Sequence, residues 1–116
     1  MSDIRRIDPG PRLSEASVFG DRMYLSGMIP EDTSQDITGQ VKQALSEIDS
    51  LLAKGGSDKT RILSAVIWLK DIGDFAAMNA VWDAWVVPGQ TPARATVQAS
   101  LNDPKMLVEI MVVAAR

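Results

Sequence analysis

The sequence predicts an α+β domain built on one mixed sheet of six strands, with two helices on one face. The predicted segments run strand, strand, strand, helix, strand, helix, strand, strand, and no repeat, linker or low-complexity tract separates them. Two successive strand-helix-strand connections favour parallel strands, with the first hairpin and the last strand antiparallel to them. The length of 116 residues suits one hydrophobic core, so we expect a single domain over residues 1–116.

Three strands are predicted in the N-terminal part of the chain. A short edge strand over residues 4–8 ends at Pro9-Gly10-Pro11, because proline lacks the backbone donor that a strand ladder needs. Strand-like residues then fill 13–19 and 22–26, on either side of Gly20-Asp21. Such a pair is typical of a tight hairpin turn.

Residue spacing predicts two amphipathic helices. The first has aliphatic side chains three and four residues apart, at Ile37, Val41, Ala44, Leu45, Ile48, Leu51 and Leu52. Asp36 or Thr38 can cap its start, and Gly55-Gly56 can end it. Asp71 and Asp74 mark the start of the second helix. Its large side chains are expected to pack in the core rather than form an aromatic cage: Phe75, Met78, Trp82 and Trp85.

Residues 61–69 are predicted to form a central strand, because both of its faces carry apolar residues. Alternation places Ile62, Ser64, Val66 and Trp68 on one face, and Leu63, Ala65, Ile67 and Leu69 on the other. Helices on one face of the sheet leave the second, partly apolar face uncovered. We therefore expect a homo-oligomer.

Each of the last two predicted strands carries one charge that its surroundings do not explain. Alternation places Arg94, Thr96 and Gln98 on one face of the first, and Glu109 interrupts the apolar run of the second at 107–113. An unpaired buried carboxylate is costly, so Glu109 must pair, take up a proton or stay hydrated. Either Glu109 pairs structurally with Arg94 or with a cation at a subunit interface, or the two line a cleft. In the cleft, Arg94 would bind a ligand carboxylate and Glu109 would handle water or a proton.

Composition excludes several classes of function. The chain has no cysteine and no histidine. It therefore lacks the imidazole or thiolate that serine-histidine hydrolases, cysteine-histidine hydrolases and zinc enzymes require. No metal or other cofactor is therefore expected. The net charge of -3 argues against a nucleic-acid partner. The N-terminal residues lack the apolar segment of a secretion signal, and no run is long enough for a membrane span, so a cytoplasmic protein is expected.

Four short motifs stand out along the chain. They are Tyr24 to Pro30 at a strand end, Phe75-Ala76-Ala77-Met78-Asn79 at the start of the second helix, Thr91-Pro92-Ala93-Arg94, and Leu107-Val108-Glu109-Ile110. Together they resemble motifs of the RidA/YjgF family of imine and enamine deaminases. The first is similar to a strand end that reads Ser-Gly-Gln in the family, the second to its Asp-Phe-x-x-x-Asn helix, and the last two to its signature. The motifs follow in the family's order and spacing over nearly the whole chain.

The resemblance implies a fold like that of bacterial chorismate mutase, in a trimer whose sheets form a central barrel. The family fold also inserts the last strand between the third and the fourth, whereas the short loop at Asn102-Asp103-Pro104 alone would suggest adjacent antiparallel strands. Family members keep their ligand clefts between subunits. In such a cleft Arg94 would bind the substrate carboxylate and Glu109 would position or activate water.

The resemblance also implies smaller roles for four residues. Gly27, otherwise a plain strand-ending glycine, would offer backbone contacts to the substrate, and Asn79 would help to shape the cleft. Thr96 stands where many members have cysteine and could still hydrogen-bond a ligand. Met28 replaces the glutamine of the Ser-Gly-Gln motif, so it is expected to contact the substrate at the rim without the amide that the glutamine would supply. The pocket tyrosine of the family corresponds to Leu13 or a neighbour. These departures suggest a shifted substrate and weak turnover of the usual imino acids.

The expected reaction is hydrolysis of 2-imino or enamine acids to 2-keto acids and ammonia. The alternative is a non-catalytic protein of the same fold that binds or senses a small carboxylate. Ribonuclease activity or translation inhibition, which has been attached to relatives, is disfavoured by the acidic charge.

Overall fold

The computed structural model describes residues 3–116, so Met1 and Ser2 of the predicted domain and N-terminal segment lie outside the described residues. Strands and helices follow one another in the predicted order. They are β1 (Ile4–Pro9), β2 (Ser14–Phe19), β3 (Arg22–Leu25), α1 (Ile37–Lys54), β4 (Ile62–Leu69), α2 (Phe75–Trp85), β5 (Ala93–Gln98) and β6 (Val108–Ala115). The α+β class with a six-stranded mixed sheet and two helices is thereby confirmed.

The sheet has the strand order β1-β2-β3-β6-β4-β5. Strands β4 and β5 are parallel, and all other neighbours are antiparallel. The last strand therefore lies between the third and the fourth, as the family resemblance implied and the short 102–104 loop did not. The edge strand β1 pairs with β2 from Ile4 to Pro9, which confirms the first predicted strand.

Local sequence signals explain where the elements begin and end. The Asp36 carboxylate accepts a hydrogen bond of 2.9 Å from the Gly39 amide at the start of α1, as expected for an N-cap. Gly56 follows α1 with a positive φ of 78°, a backbone conformation that glycine adopts without steric cost. Gly20 likewise has a positive φ of 62° in the β2-β3 turn.

The hydrophobic core lies between α1, α2 and one face of the sheet. From the strands it takes the side chains that alternate toward the helices, including Val18, Met23, Ala65, Ile67, Leu69, Val108, Ile110 and Val112. From α1 it takes the predicted aliphatic stripe, in which Val41, Ala44, Leu45, Ile48, Leu51 and Leu52 are buried. Met78 and Trp82 of α2 complete it.

The alternation predicted for residues 61–69 is wrong at the start of the strand. Ile62 is buried and Leu63 is 49% exposed, the reverse of the predicted faces. The pairing of β4 with β6 shifts between Ile62 and Ser64, and such a bulge moves every side chain before it to the other face of the sheet. From Ser64 onward the predicted alternation is confirmed.

The opposite face of the sheet carries no helix and exposes large apolar side chains. Cross-strand pairing places Phe19, Tyr24, Met111 and Val97 on this face, and each of them is exposed. Trp68 and Val66 on the same face are half-buried. The sequence predicts association of protomers through this uncovered surface.

In the described part of the chain, no helix is long and apolar enough to cross a membrane.

Candidate functional site

The guanidinium of Arg94 lies beneath α2, against two aromatic rings. Arg94 pairs with Ala65 across the parallel β4-β5 ladder, and the Ala65 side chain points into the core, so Arg94 also faces the helices. Its Cζ atom lies 5.2 Å from the ring centroid of Trp82 and 5.9 Å from that of Phe75. Both rings are within the range of cation–π attraction. The half-buried side chain is therefore held in place by α2.

Arg94 has no acidic partner in the described part of the chain. Over residues 3–116 the only ion pair joins Lys54 to Asp8, at 2.7 Å, and the only polar contact of the Arg94 side chain is a weak one to the Met78 sulfur at 4.0 Å. A structural ion pair between Arg94 and Glu109 within one protomer is therefore wrong. The guanidinium keeps donors free for a ligand, which is the property that an anion site requires.

Thr96 and Asn79 contribute unpaired polar atoms on the same side of the sheet. Thr96 follows Arg94 by two residues and shares its face, while Asn79 is adjacent to Met78 on α2. The Thr96 hydroxyl oxygen and the Asn79 side-chain oxygen are buried without a hydrogen-bond partner among residues 3–116. Buried polar groups usually have partners, and each missing one costs about 1–3 kcal/mol. Polar capacity is thus unused near Arg94.

Glu109 lies on the other face of the sheet. It is aligned with Trp68 in the β4-β6 ladder, whereas Arg94 is aligned with Ala65. Trp68 and Ala65 are three residues apart on one strand, so their side chains point to opposite faces. Within a protomer, the sheet therefore separates Arg94 from Glu109.

Gly27 lies directly against the carboxylate of Glu109. A Cβ atom built on Gly27 would overlap the Glu109 Oε2 atom and lie 2.8 Å from its Cδ atom. The absence of a side chain at Gly27 therefore leaves room for the Glu109 carboxylate. A backbone contact between Gly27 and the substrate stays a prediction.

Replacement of Gly27 by alanine should consequently displace the Glu109 carboxylate. We expect a loss of stability of about 1–3 kcal/mol from the overlap and a fall in turnover of about tenfold from the misplaced carboxylate. Thermal denaturation measures the first effect, and the rate of imine hydrolysis, the reaction that the family resemblance implies, measures the second. Gly10→Ala is the matched control, because a Cβ there would meet only the Leu13 carbonyl oxygen, at 3.3 Å. Equal effects of both substitutions would contradict the expectation.

Two surface grooves flank the Gly27–Glu109 contact. One, of about 360 Å³, is lined by Trp68, Ala99, Ser100, Leu101, Asn102 and Glu109. The other, of about 510 Å³, is lined by Leu13, Glu15, Ser26, Gly27, Met28, Ile29, Pro30, Glu31 and Glu47. A further groove of about 260 Å³ between α1 and α2 contains none of the predicted site residues, so the chemistry is better sought at the first two.

Met28 has the environment of a core residue. Its side chain is 4% exposed, and its backbone exchanges two hydrogen bonds with Ile110, of 2.7 and 2.9 Å. Its polar groups are thus already engaged, and a substrate contact by Met28 stays a prediction. The neighbouring Leu13, in contrast, is 52% exposed in the groove beside Gly27.

The contacts of Arg94 with the Phe75 and Trp82 rings were not predicted from the sequence. Met78 and Trp82 are buried as predicted, but Phe75 is 41% exposed and its ring lies beside the guanidinium. The available signal was the spacing of Phe75 and Trp82, which places both on the face of α2 toward the following strand. Nothing else in the sequence indicated which strand residue they would meet.

No metal site is apparent in the structure as described. Over residues 3–116, no three acidic side chains are arranged to hold a metal ion.

Comparisons with known proteins agree in pointing to one family. The family model described as Endoribonuclease L-PSP matches residues 4–116. A RutC family protein from Haemophilus ducreyi is 44% identical over 112 residues, which cover 97% of this chain and 96% of that protein. The RutC family protein YoaB from Escherichia coli (strain K12) is 48% identical over 112 residues, 97% of each chain.

A solved structure extends this agreement to the fold. The crystal structure of a YjgF family member from Neisseria meningitidis superposes with a TM-score of 0.96 at 48% identity, covering 98% of this chain and 95% of that one. The fold is thus the chorismate-mutase-like fold of YjgF proteins. Family model, relatives and fold together establish that this chain belongs to the RidA/YjgF family.

Proposed function

We propose that the protein hydrolyses 2-imino acids, or the enamine acids that tautomerise to them, to 2-keto acids and ammonia. The observation that carries this proposal is the Arg94 guanidinium, which is half-buried, held by two aromatic rings and free of any carboxylate partner in the described part of the chain. Such a group binds a carboxylate through two parallel hydrogen bonds. Family membership is compatible with this chemistry.

The reaction needs one positioned water molecule and a group that moves a proton. Water adds to C2 of the protonated imine while Glu109 accepts one of its protons, which gives a neutral carbinolamine. Glu109 then returns this proton to the carbinolamine nitrogen, and collapse of the carbinolamine breaks the C–N bond. The departing ammonia takes up the hydroxyl proton, so the products are ammonium and the 2-keto acid. An imine is already electrophilic, so placement of the reactants and proton transfer account for catalysis without a covalent intermediate.

Both residues can serve one ligand only if they come from two protomers. Arg94 and Glu109 lie on opposite faces of one sheet, and β5, which carries Arg94, is an edge strand. The helix-free face next to it is apolar and uncovered. In a homotrimer whose sheets form a barrel, the β5 edge of one protomer would reach the Gly27–Glu109 groove of the next. This assembly would bring Arg94 and Glu109 to one ligand, and it would also cover the apolar face. The substrate would then bind at three equivalent clefts.

An aspartate in place of Met111 should prevent this association. Met111 is 36% exposed on the helix-free face, where burial of an unpaired charge costs several kcal/mol. We expect Met111→Asp to sediment as a monomer and to lose imine hydrolysis, while Ser50→Asp on the exposed side of α1 stays trimeric and active. A wild-type monomer in dilute solution, or a trimeric Met111→Asp protein, would contradict the proposed assembly.

The decisive experiment is an assay of imine hydrolysis. An amino-acid oxidase generates 2-iminopropionate or 2-iminobutyrate in situ, and the formation of the keto acid is compared with and without the protein. A rate above that of the buffer is expected. Because the departures at Leu13, Met28 and Thr96 suggest weak turnover of these two imino acids, a rate moderately above that of the buffer would support the proposed function. A panel of larger imino acids should identify the substrate side chain that the protein prefers.

The alternative is a protein of the same fold that binds or senses a small carboxylate without converting it. Calorimetry with keto and hydroxy acids distinguishes the two functions. Binding without hydrolysis would favour the alternative, and an absence of both would reject the two together. Cleavage of RNA, which the description of the family model names, is not proposed, because the net charge of -3 disfavours a polyanionic substrate.

A further inference from the structure

Gln40 is a fully buried polar residue in the first turn of α1. Its exposed fraction is 0%, and over residues 3–116 no other polar residue is buried as a whole. A buried amide is tolerated when its hydrogen-bonding capacity is used. The partners of Gln40 therefore indicate what the residue does.

The amide of Gln40 connects two chain segments that are distant in sequence. Its NH2 group shares two hydrogens among three carbonyl oxygens, those of Thr33 at 3.2 Å, Gln35 at 3.0 Å and Lys105 at 3.0 Å. Its oxygen accepts from the Leu107 amide at 2.8 Å. One side chain thus joins the loop that precedes α1 to the segment that enters β6.

Both segments lead to the Gly27–Glu109 contact. Glu109 follows Leu107 by two residues, and the Leu107 carbonyl is fixed on its other side by the Lys70 amide at 3.0 Å. The loop at residues 32–35 continues the chain from Gly27 and Met28. Asp32 organises this loop, and hydrogen bonds from the Ser34 hydroxyl and backbone lower the pKa of its carboxyl group. Met28 bridges to Ile110, beside Glu109.

We infer that Gln40 is a positioning residue that sets the placement of the Glu109 carboxylate against Gly27. This role rests on the proposed function, because it is Glu109 that handles the water and the proton. Gln40 touches neither the substrate nor the reacting atoms. It acts by fixing the backbone on both sides of the contact from the opposite face of the sheet.

Loss of the amide would release both segments at once. Three carbonyl groups and one amide N–H would lose their partner at partly buried positions, and each group that water does not reach costs about 1–3 kcal/mol. Water or a local shift of the backbone must then satisfy them. A shift of about 1 Å at a catalytic group can lower the rate by about 100-fold. The substrate carboxylate would still find Arg94, because β5 receives no bond from Gln40.

The test compares Gln40→Met with Gln43→Met. Methionine keeps the volume of glutamine and removes its polar atoms. Gln43 is the matched control, because it lies on the same helix and its side-chain oxygen accepts from the Asp32 amide at 2.8 Å, but no bond from it to the segment entering β6 is present. For Gln40→Met we expect kcat to fall at least about tenfold with KM changed less than about twofold. For Gln43→Met both constants should stay near those of the wild type.

A direct view of Glu109 separates this inference from the proposed function. The NMR chemical shift of the Glu109 side-chain carboxyl carbon, at one fixed pH, reports the surroundings of that carboxylate whether or not imine hydrolysis is observed. A shift altered by Gln40→Met and unaltered by Gln43→Met supports the positioning role even if the wild type is inactive, in which case the proposed function alone fails. An unaltered shift with an unaltered kcat in folded Gln40→Met overturns the inference.

Gln40→Asn guards against a variant that does not fold. Asparagine keeps an uncharged amide but is one methylene shorter, so it cannot reach both segments, and the space it leaves can admit water to the freed carbonyl groups. It should reproduce the loss in kcat in a folded protein. If neither variant folds at low temperature, Gln40 serves the fold alone and the positioning role is overturned.

Discussion

Replacement of Arg94 by methionine should lower kcat/KM for imine hydrolysis about 100-fold. The substitution removes two charge-assisted hydrogen bonds to the substrate carboxylate, together worth about 3 kcal/mol, and about 1.4 kcal/mol corresponds to a factor of ten. Methionine still fills the space between the Phe75 and Trp82 rings, so the protein should fold. Initial rates of keto-acid formation and thermal denaturation measure the two quantities.

Two further substitutions show whether the effect at Arg94 comes from the shape of its side chain. Arg94→Lys keeps the charge but loses the planar fork, so its kcat/KM should lie between those of wild type and Arg94→Met. Arg61→Met removes an exposed arginine just before β4 and should leave the rate unchanged. A folded Arg94→Met protein that hydrolyses imines at the wild-type rate would remove Arg94 from the site.

Much of the fold could be predicted because local and long-range signals agree. Turn residues separate the strands, the aliphatic stripe of α1 has helical spacing, and two crossover connections in succession allow few topologies. The position of β6 was different. A short loop after β5 favoured direct pairing with β5, and only the resemblance to a known family indicated insertion between β3 and β4.

The failure at Ile62 and Leu63 has a local cause. Both residues are large and aliphatic, so neither face assignment leaves a polar group in the core. A bulge at this point is therefore invisible to hydrophobic alternation, which predicts the face of a strand only while its register is unbroken. The polar Ser64 restores the signal, and the prediction is correct from that residue on.

The sequence proposes residues for the candidate site but does not give their arrangement. Alternation within one strand correctly placed Arg94 and Thr96 on a common face. Whether Glu109 shares that face depends on how β4, β5 and β6 are aligned, and no single strand carries that information. The opposite faces of Arg94 and Glu109 support a cleft between protomers, which alternation could not indicate and which only the family resemblance implied.

Gln40 shows a second limit of reading periodicity alone. It lies in the first turn of α1, where a glutamine is usually exposed to solvent. Its neighbours Ile37 and Val41 define the apolar stripe without it. Its partners lie 65 and 67 residues away. Only the folded chain brings them together, so a polar residue in a core position cannot be recognised from spacing.

Replacement of Glu109 by glutamine should lower kcat by about 100-fold to 1,000-fold, the range expected for loss of a general acid or base. Glutamine has the same shape and still fits against Gly27, but it cannot accept a proton from water. KM should change little, because Arg94 still binds the substrate carboxylate. Stability should stay the same or rise, since a half-buried charge without an ion-pair partner over residues 3–116 is removed. Initial rates over a range of substrate concentrations and a thermal melt measure these effects.

Asp83→Asn is the control for Glu109→Gln, because it removes a carboxylate from the exposed side of α2 and should leave kcat unchanged. The pattern of loss then decides between the two functions of the family fold. A loss of kcat at constant KM means that Glu109 acts in the transition state, as the hydrolytic function requires. A Glu109→Gln protein that turns over imines as fast as the wild type would mean that water addition needs no carboxylate here. Arg94 and the groove would then suffice for hydrolysis by an unassisted water. The non-catalytic alternative is indicated only if the wild type and Glu109→Gln both turn over imines no faster than the buffer does.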